Sequence, residues 1–368
     1  MIAARAAPAV AAVREADRTP EARGVARDRV RLLASSAAGD ADRSFANLPE
    51  LLEPGDLLVV NESATLAASL PAEGPFGRFR LHLSTRYGPD LWLAEPRWSG
   101  ARPGPLPIPD GLTFRVAGVR ATAVARFPGI PRLLFLRCDG DLEAAMARDG
   151  SPIRYGYFAE DAPLAAYQTV FATVPGSAEM PSAARPFTPR LIRRLVRRGI
   201  RFARLVLHAG VSSLEDGDDV TGAPPILPEP FEVPEATCRA IREVRGTCGR
   251  VIAVGTTVVR ALESAFQGGE VRPSRGFTRR YVSPAQPVRS VDGLLTGWHA
   301  AGTTHLALLR GLAGEEIVRR SYARARELGY LWHEFGDAQL LLPGSGRPAR
   351  GAGAYFAPER PARARSAW

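Results

Sequence analysis

Residues 249–265 read GRVIAVGTTVVRALESA. The run Val251–Val254 is short, apolar and rich in β-branched residues, the pattern of a strand buried on both faces. Gly255 permits a tight turn after it, and Thr256 or Thr257 is placed to cap the helix that follows. That helix carries Val258, Val259, Leu262 and Ala265 on one side. Arg260, Glu263 and Ser264 fall close together on another, at spacings of three and four. Backbone N–H groups at such a helix start form an anion site, although the shape alone favours an ordinary strand-turn-helix with a surface Arg260–Glu263 pair.

Working outward, the strand-turn-helix unit predicts an α/β core. At 368 residues and 45% apolar content, the chain can bury more than one such core, and two domains are expected. No apolar run approaches the length of a membrane span. Residues 1–20 are rich in Ala and Arg, with Glu15 and Asp17, and read as a disordered extension rather than a secretion signal. The 3 cysteines contain no C-x-x-C pair, which argues against a disulfide scaffold and a Cys-based zinc site, and fits a reducing cytoplasm. The net charge is +10, and all 48 basic residues are Arg. Part of that excess is compositional bias; the rest favours polyanionic partners.

On the amino-terminal side, residues 28–34 and 45–60 read as two strands flanking a short helix and a Pro-Gly-Asp turn. Residues 66–138 change texture. The runs FRLHLS, LWLAEP, TFRVAGV, TAVARF and RLLFLRC are separated by Gly/Pro-rich turns, which predicts a small antiparallel barrel or sandwich. The expected fold is therefore a mixed-sheet α/β domain (residues 21–65 and 162–342) interrupted by a β-barrel domain (residues 66–161), with a disordered tail at 343–368. Residues 167–173 are expected to be a strand leading into a loop at 174–186. Thr188 and Pro189 begin a helix with Leu191, Ile192, Leu195 and Val196 inward. Its other face carries Arg190, Arg193, Arg194, Arg197 and Arg198, and is either a solvated face or a phosphate-contacting one. Residues 201–208 form a strand and 216–234 an acidic, Pro-rich loop. Further helices are expected at 234–244, from 303–304, and at 315–328, with a final strand at 330–342.

The chain has 5 histidines. His208 and His299 each stand just past an apolar run, where a strand end opens onto a loop and ligands bind. His305 is assigned to a helix and His82 to the barrel, so both are set aside. No H-E-x-x-H, Walker A or G-x-S-x-G pattern is present.

Six stretches, PGDLLVVNES (54–63), YQTVFATVPG (167–176), PFT and LVLHAG (186–188 and 205–210), residues 249–265, VDGLLTGWH (291–299) and YLWHEFGDAQLLL (330–342), follow one another in a known order. In them the chain resembles the S-adenosylmethionine:tRNA ribosyltransferase-isomerase family of queuosine biosynthesis, as a divergent member. The resemblance implies a cytoplasmic enzyme, monomeric and without a metal, that uses S-adenosylmethionine as a ribosyl donor. The acceptor is 7-aminomethyl-7-deazaguanine at the tRNA wobble position; the products are epoxyqueuosine-tRNA, adenine and methionine.

That chemistry needs a base for a ribose C5′ proton acidified by the sulfonium, and a neutral His208 or His299 suits it. Asp292 or a Thr hydroxyl is a candidate donor to departing adenine. Gly255, Thr256, Thr257 and Arg260 are candidates for the methionine carboxylate, with Glu263 and Thr296 beside them. Asn61, Tyr167, Gln168 and Trp298 are candidates around the acceptor base, and Arg193, Arg194 and Arg197 for the tRNA backbone. The family's N-D/N-T-R-V and A-R-L patterns have Ala64 and Ser69 in place of their arginines. Its P-T-A-G-L-H-F-T histidine is Pro186 here, and a segment with two histidines keeps only Glu229. These departures leave two other readings in view: an S-adenosylmethionine-using enzyme acting on a small deazapurine or nucleoside, and a non-catalytic RNA-binding relative.

Overall fold

The computed structural model describes residues 13–99, 104–159, 161–211, 226–247 and 249–344. Val251–Val254 occupies the middle of a nine-stranded sheet. The order across it is Ser274–Thr278, Glu229–Val233, Arg201–Leu207, Leu57–Asn61, Val251–Val254, Gly293–Thr296, Ala338–Leu342, Arg31–Ser36 and Gly39–Ser44. The strands from Arg201–Leu207 to Gly293–Thr296 are parallel, so their carboxyl ends open on one edge. Ala338–Leu342 runs antiparallel to Gly293–Thr296, and an antiparallel strand closes each flank, which makes the sheet mixed.

Period-two alternation builds the two cores. Val251 and Ala253 pack with the helices Glu235–Gly246, Thr256–Ala265 and Thr304–Glu327 on one face. Ile252 and Val254 pack with Leu48–Leu51 and Pro189–Arg197 on the other. All four are at most 1% exposed, and full burial of each Val or Ile side chain contributes roughly 1.5–3 kcal/mol. The helical stretch Thr304–Glu327 is broken at Gly314, which adopts φ 78° and ψ 162°, so it consists of two helices meeting at a kink, as expected.

The expected barrel is present. Ser69–Gly74, Gly77–Arg86, Leu91–Trp98, Ile130–Cys138, Val119–Phe127 and Thr113–Val116 form a closed antiparallel ring, because Ile130–Cys138 pairs back onto Leu91–Trp98. Asp141 caps the helix Leu142–Asp149, whose Leu142, Ala145 and Met146 join the barrel core. The chain leaves the sheet after Asn61 and returns at Arg201. Between them, Ser63–Thr65 and Val174–Ser177 pair in parallel and form the neck.

Several local expectations are corrected. Leu164–Tyr167 is a 3-10 turn rather than a strand, and the strand in that region is Val174–Ser177. The supposed loop at 216–234 contains the strand Glu229–Val233, which Pro230 disguises. Residues 330–342 supply two short strands, Leu331–Trp332 and Ala338–Leu342. Val196 faces outward at 55% exposure. Thr256 and Thr257 do not cap their helix: Gly255 holds the cap position at φ 99° without a side-chain bond. Of the stretches expected to be disordered, 1–20 and 343–368, residues 1–12 and 345–368 lie outside the described residues, as do Cys248 and residues 216–225. The rest of the first is ordered, with Arg14–Glu15 paired in parallel to Leu331–Trp332 and Ala16 fully buried.

Candidate active site

The carboxyl ends of the four parallel strands bring Asn61, His208, Gly255 and Thr296 onto one edge. His208 follows Arg201–Leu207. Its Nδ1 lies 2.7 Å from Ser63 Oγ, which lies 2.6 Å from Ser177 Oγ. Ser177 Oγ also accepts the Ala209 N–H at 3.0 Å. A relay in which Nδ1–H donates to Ser63, and Ser63 to Ser177, leaves the Nε2 lone pair available as a base. Burial holds the His208 pKa below its ordinary value, so the ring is neutral near pH 7. Asn61 is fully buried and clamps Leu207: its Nδ2 donates to the Leu207 carbonyl at 2.8 Å, and its Oδ1 accepts the Leu207 and Ser63 N–H groups. Asn61 thus positions His208 instead of meeting a substrate.

On the other side of the Gly255 turn, Thr296 Oγ1 lies 3.0 Å from His299 Nε2. The His299 ring stacks on His305, with centroids 4.5 Å apart and planes at 27°. Its backbone N–H donates to the Tyr322 hydroxyl at 3.3 Å. Burial, then the neighbouring imidazoles, pushes His299 well below the ordinary histidine value. Burial and the Arg260 charge push His305 down to about 4. His305 is in a helix as expected, and there it stacks on His299 and lines a cleft. It occupies the first helical turn and faces the site.

Between these rings the Gly255 N–H donates to the Leu295 carbonyl at 2.8 Å, which pins the turn to the adjacent strand. The expected Arg260–Glu263 pair is not formed. Arg260 instead pairs with the buried Glu229, whose other oxygen accepts the Gly210 N–H at 3.0 Å, two residues past His208. Glu263 is also buried and accepts the Arg289 and Ser290 N–H groups, both at 2.7 Å, so it holds a loop and is not a cofactor group. Arg260, Glu229, Arg280, Tyr281, Thr304 and His305 line a cleft of about 520 Å³. A second cleft of about 330 Å³ is lined by Thr296, Gly297, Arg185, Pro186, Glu334 and Asp337. Burial and then the Glu179 charge raise the Glu334 carboxyl to about 8.

The model of the queuosine biosynthesis protein family matches residues 13–341. The chain belongs to the queuosine biosynthesis protein family. A member named S-adenosylmethionine:tRNA ribosyltransferase-isomerase, from Anaeromyxobacter dehalogenans strain 2CP-C, is 37% identical over 329 residues, covering 85% of this chain and 92% of its own. The protein of the same name from Thermus thermophilus is 36% identical over 330 residues, covering 86% and 93%. The crystal structure of S-adenosylmethionine tRNA ribosyltransferase from Thermotoga maritima aligns with 91% of this chain and 98% of its own, at 26% identity and a TM-score of 0.48.

Other residues singled out from family motifs lie away from the edge. Asp292 stands at the amino end of its strand, where its carboxylate accepts the Val251 N–H at 2.8 Å. Trp298 is 1% exposed and packs edge-on to Tyr322 and Tyr330, so it cannot stack on a base. Tyr167 is 4% exposed, packed edge-on to Phe335 and Phe158. Gln168 uses both ends of its amide on Thr65, accepting its N–H at 3.0 Å and donating to its carbonyl at 2.7 Å. Arg194 donates to the Ala46 carbonyl at 2.9 Å, a tie between helices. Arg190, Arg193, Arg197 and Arg198 are exposed and have no ion-pair partner among the described residues. Of the departures, Ser69 is bound by Arg80 from the next strand, at 3.1 Å from Nε to Oγ, and Pro186 lines the smaller cleft. Ser63, Ser177 and Glu229 were missed from the sequence as site residues; the small serines carry no periodic signal and meet only through the neck.

Proposed function

We propose that this member of the family transfers and isomerises the ribosyl unit of S-adenosylmethionine onto 7-aminomethyl-7-deazaguanine at the tRNA wobble position, giving epoxyqueuosine-tRNA, adenine and methionine. The relatives' shared name supports the reaction class. The observation that carries the reading here is that two neutral imidazoles, His208 and His299, follow the carboxyl ends of strands on either side of the Gly255 turn, along one sheet edge.

In this reading the sulfonium nucleoside sits over the Gly255–Thr257 turn. There the first N–H groups of the helix have no carbonyl of their own helix to bond. His208 Nε2 removes the C5′ proton, and the Ser63–Ser177 relay keeps the ring in the required tautomer. His299, anchored by Thr296, lines the opposite side. Asp292 has no part in adenine departure. Thr296 and the protonated Glu334, which share the smaller cleft, are the donors on the correct edge. The unpaired arginines of the helix Pro189–Arg197 and its end at Arg198 take the tRNA phosphates. The protein acts as a cytoplasmic monomer, with S-adenosylmethionine as co-substrate and no metal.

Incubation with labelled S-adenosylmethionine and acceptor tRNA is expected to release adenine and methionine in equal amounts, with release dependent on the tRNA. Release at the same rate without tRNA would point to a small nucleoside acceptor. No release would remove the enzymatic reading.

A further inference from the structure

The larger cleft contains an unusual pair of groups. Arg260 Nη2 and Arg280 Nε are both buried and have no hydrogen-bond partner among the described residues. The Arg260 side chain reaches the Arg280 backbone, where its Nε donates to the carbonyl at 3.2 Å. Buried guanidinium N–H groups are rarely left unmade, so two of them lining one cleft of about 520 Å³ indicate an absent acceptor. The charges around it define that acceptor. Arg260 pairs with Glu229, and Arg280 stands 3.6 Å from Glu263, so two cations face two anions. His305 stays neutral beside them. A multiply charged anion would upset this balance, whereas a zwitterion adds no net charge and its carboxylate can meet the two free N–H groups.

Neither His208 nor His299 lines the cleft, but two of its lining residues touch their surroundings. His305 stacks on His299, and Glu229 holds the loop that follows His208. Resting on the reaction read above, we infer that Arg260 and Arg280 hold the α-carboxylate of the amino-acid end of S-adenosylmethionine. Arg280 is then a specificity-determining residue for the donor. The helix start at Thr256–Thr257 is left to the sulfonium and ribose.

Calorimetry on the full-length protein tests this with two ligands, S-adenosylmethionine and its decarboxylated form, and two proteins, wild type and Arg280→Met. A hydrogen bond to a charged group corresponds to roughly ten- to hundredfold in affinity. Wild type is expected to favour the carboxylated ligand by at least about tenfold. Arg280→Met is expected to lose that preference while binding the decarboxylated ligand as wild type does. Equal binding of both ligands by wild type overturns the inference while leaving the reaction intact, and does so even if the variant fails to fold. An equal loss for both ligands in a folded Arg280→Met overturns it as well. Failure of wild type to bind either ligand removes the reaction and the inference together.

Discussion

Gly176 is where the His208 assignment is most exposed to test. A Cβ built on Gly176 would stand 2.5 Å from His208 Cε1 and Nδ1 and 2.7 Å from Cγ. Comfortable separations between such atoms are about 3.5–4.0 Å, so Gly176→Ala must push the ring by about 1 Å. The ring cannot move that far and keep its 2.7 Å contact with Ser63. Overpacking of this kind costs about 1–3 kcal/mol, and misplacing a reacting group by about 1 Å costs on the order of a hundredfold in rate. Adenine release by Gly176→Ala should therefore fall by about two orders of magnitude. Its urea midpoint should drop by an amount equivalent to ~1–3 kcal/mol. In a His208→Ala background the clash is gone, and the same substitution should cost less by about the overpacking term, leaving only the strain of Ala at φ 156°. A Gly176→Ala protein with wild-type turnover, or an undiminished stability cost once His208 is removed, would refute the placement of the base.

Other consequences follow from individual contacts. Asp292→Asn should destabilise the protein by about 1 kcal/mol, because a charged acceptor for the Val251 N–H is lost, while leaving turnover near wild type; a large rate loss at full folding would restore Asp292 to the chemistry. Glu334 has its pKa raised from 4.5 to about 8, so the folded state holds a proton that the unfolded state has released. Its contribution to stability is full below pH 4.5 and is lost as the pH rises towards about 8. Glu334→Gln should flatten the fall in urea midpoint across that range, and an unchanged slope would show that the carboxyl titrates normally. Reversing charge at Arg193 and Arg197 together should lower the salt slope of tRNA binding by about 1.5, at about 0.7–0.9 per phosphate contact. An unchanged slope would place the tRNA elsewhere.

The parts of the fold legible in the sequence are those with strong local chemistry. Val251–Val254 has no polar residue to turn outward, so it had to be a central strand. Thr188 followed by Pro189 fixed a helix start, and Thr188 Oγ1 does accept the Leu191 N–H at 3.2 Å. The illegible elements are those whose partners supply what they lack. Gly39–Ser44 reads GDADRS, without an apolar face, and exists because Arg31–Ser36 offers it a hairpin ladder. Glu229–Val233 contains Pro230, whose carbonyl nevertheless accepts the His208 N–H at 2.9 Å. The strand-end positions of His208 and His299 were readable because each follows an apolar run. Trp298, Tyr167 and Gln168 were singled out by the wording of a motif, and burial shows that they serve the core and the neck. Ser63 and Ser177 are 114 residues apart, and no spacing rule connects them.

The most direct test of the whole account follows the sugar. S-adenosylmethionine carrying one isotope in its ribose and another in its methyl group is supplied with acceptor tRNA, and the digested tRNA nucleosides are weighed by mass spectrometry. The ribose label is expected in the wobble nucleoside, with the methyl label wholly in free methionine. Methyl label in the tRNA, or ribose label remaining on adenine, would contradict the assignment of this sheet edge to ribosyl transfer.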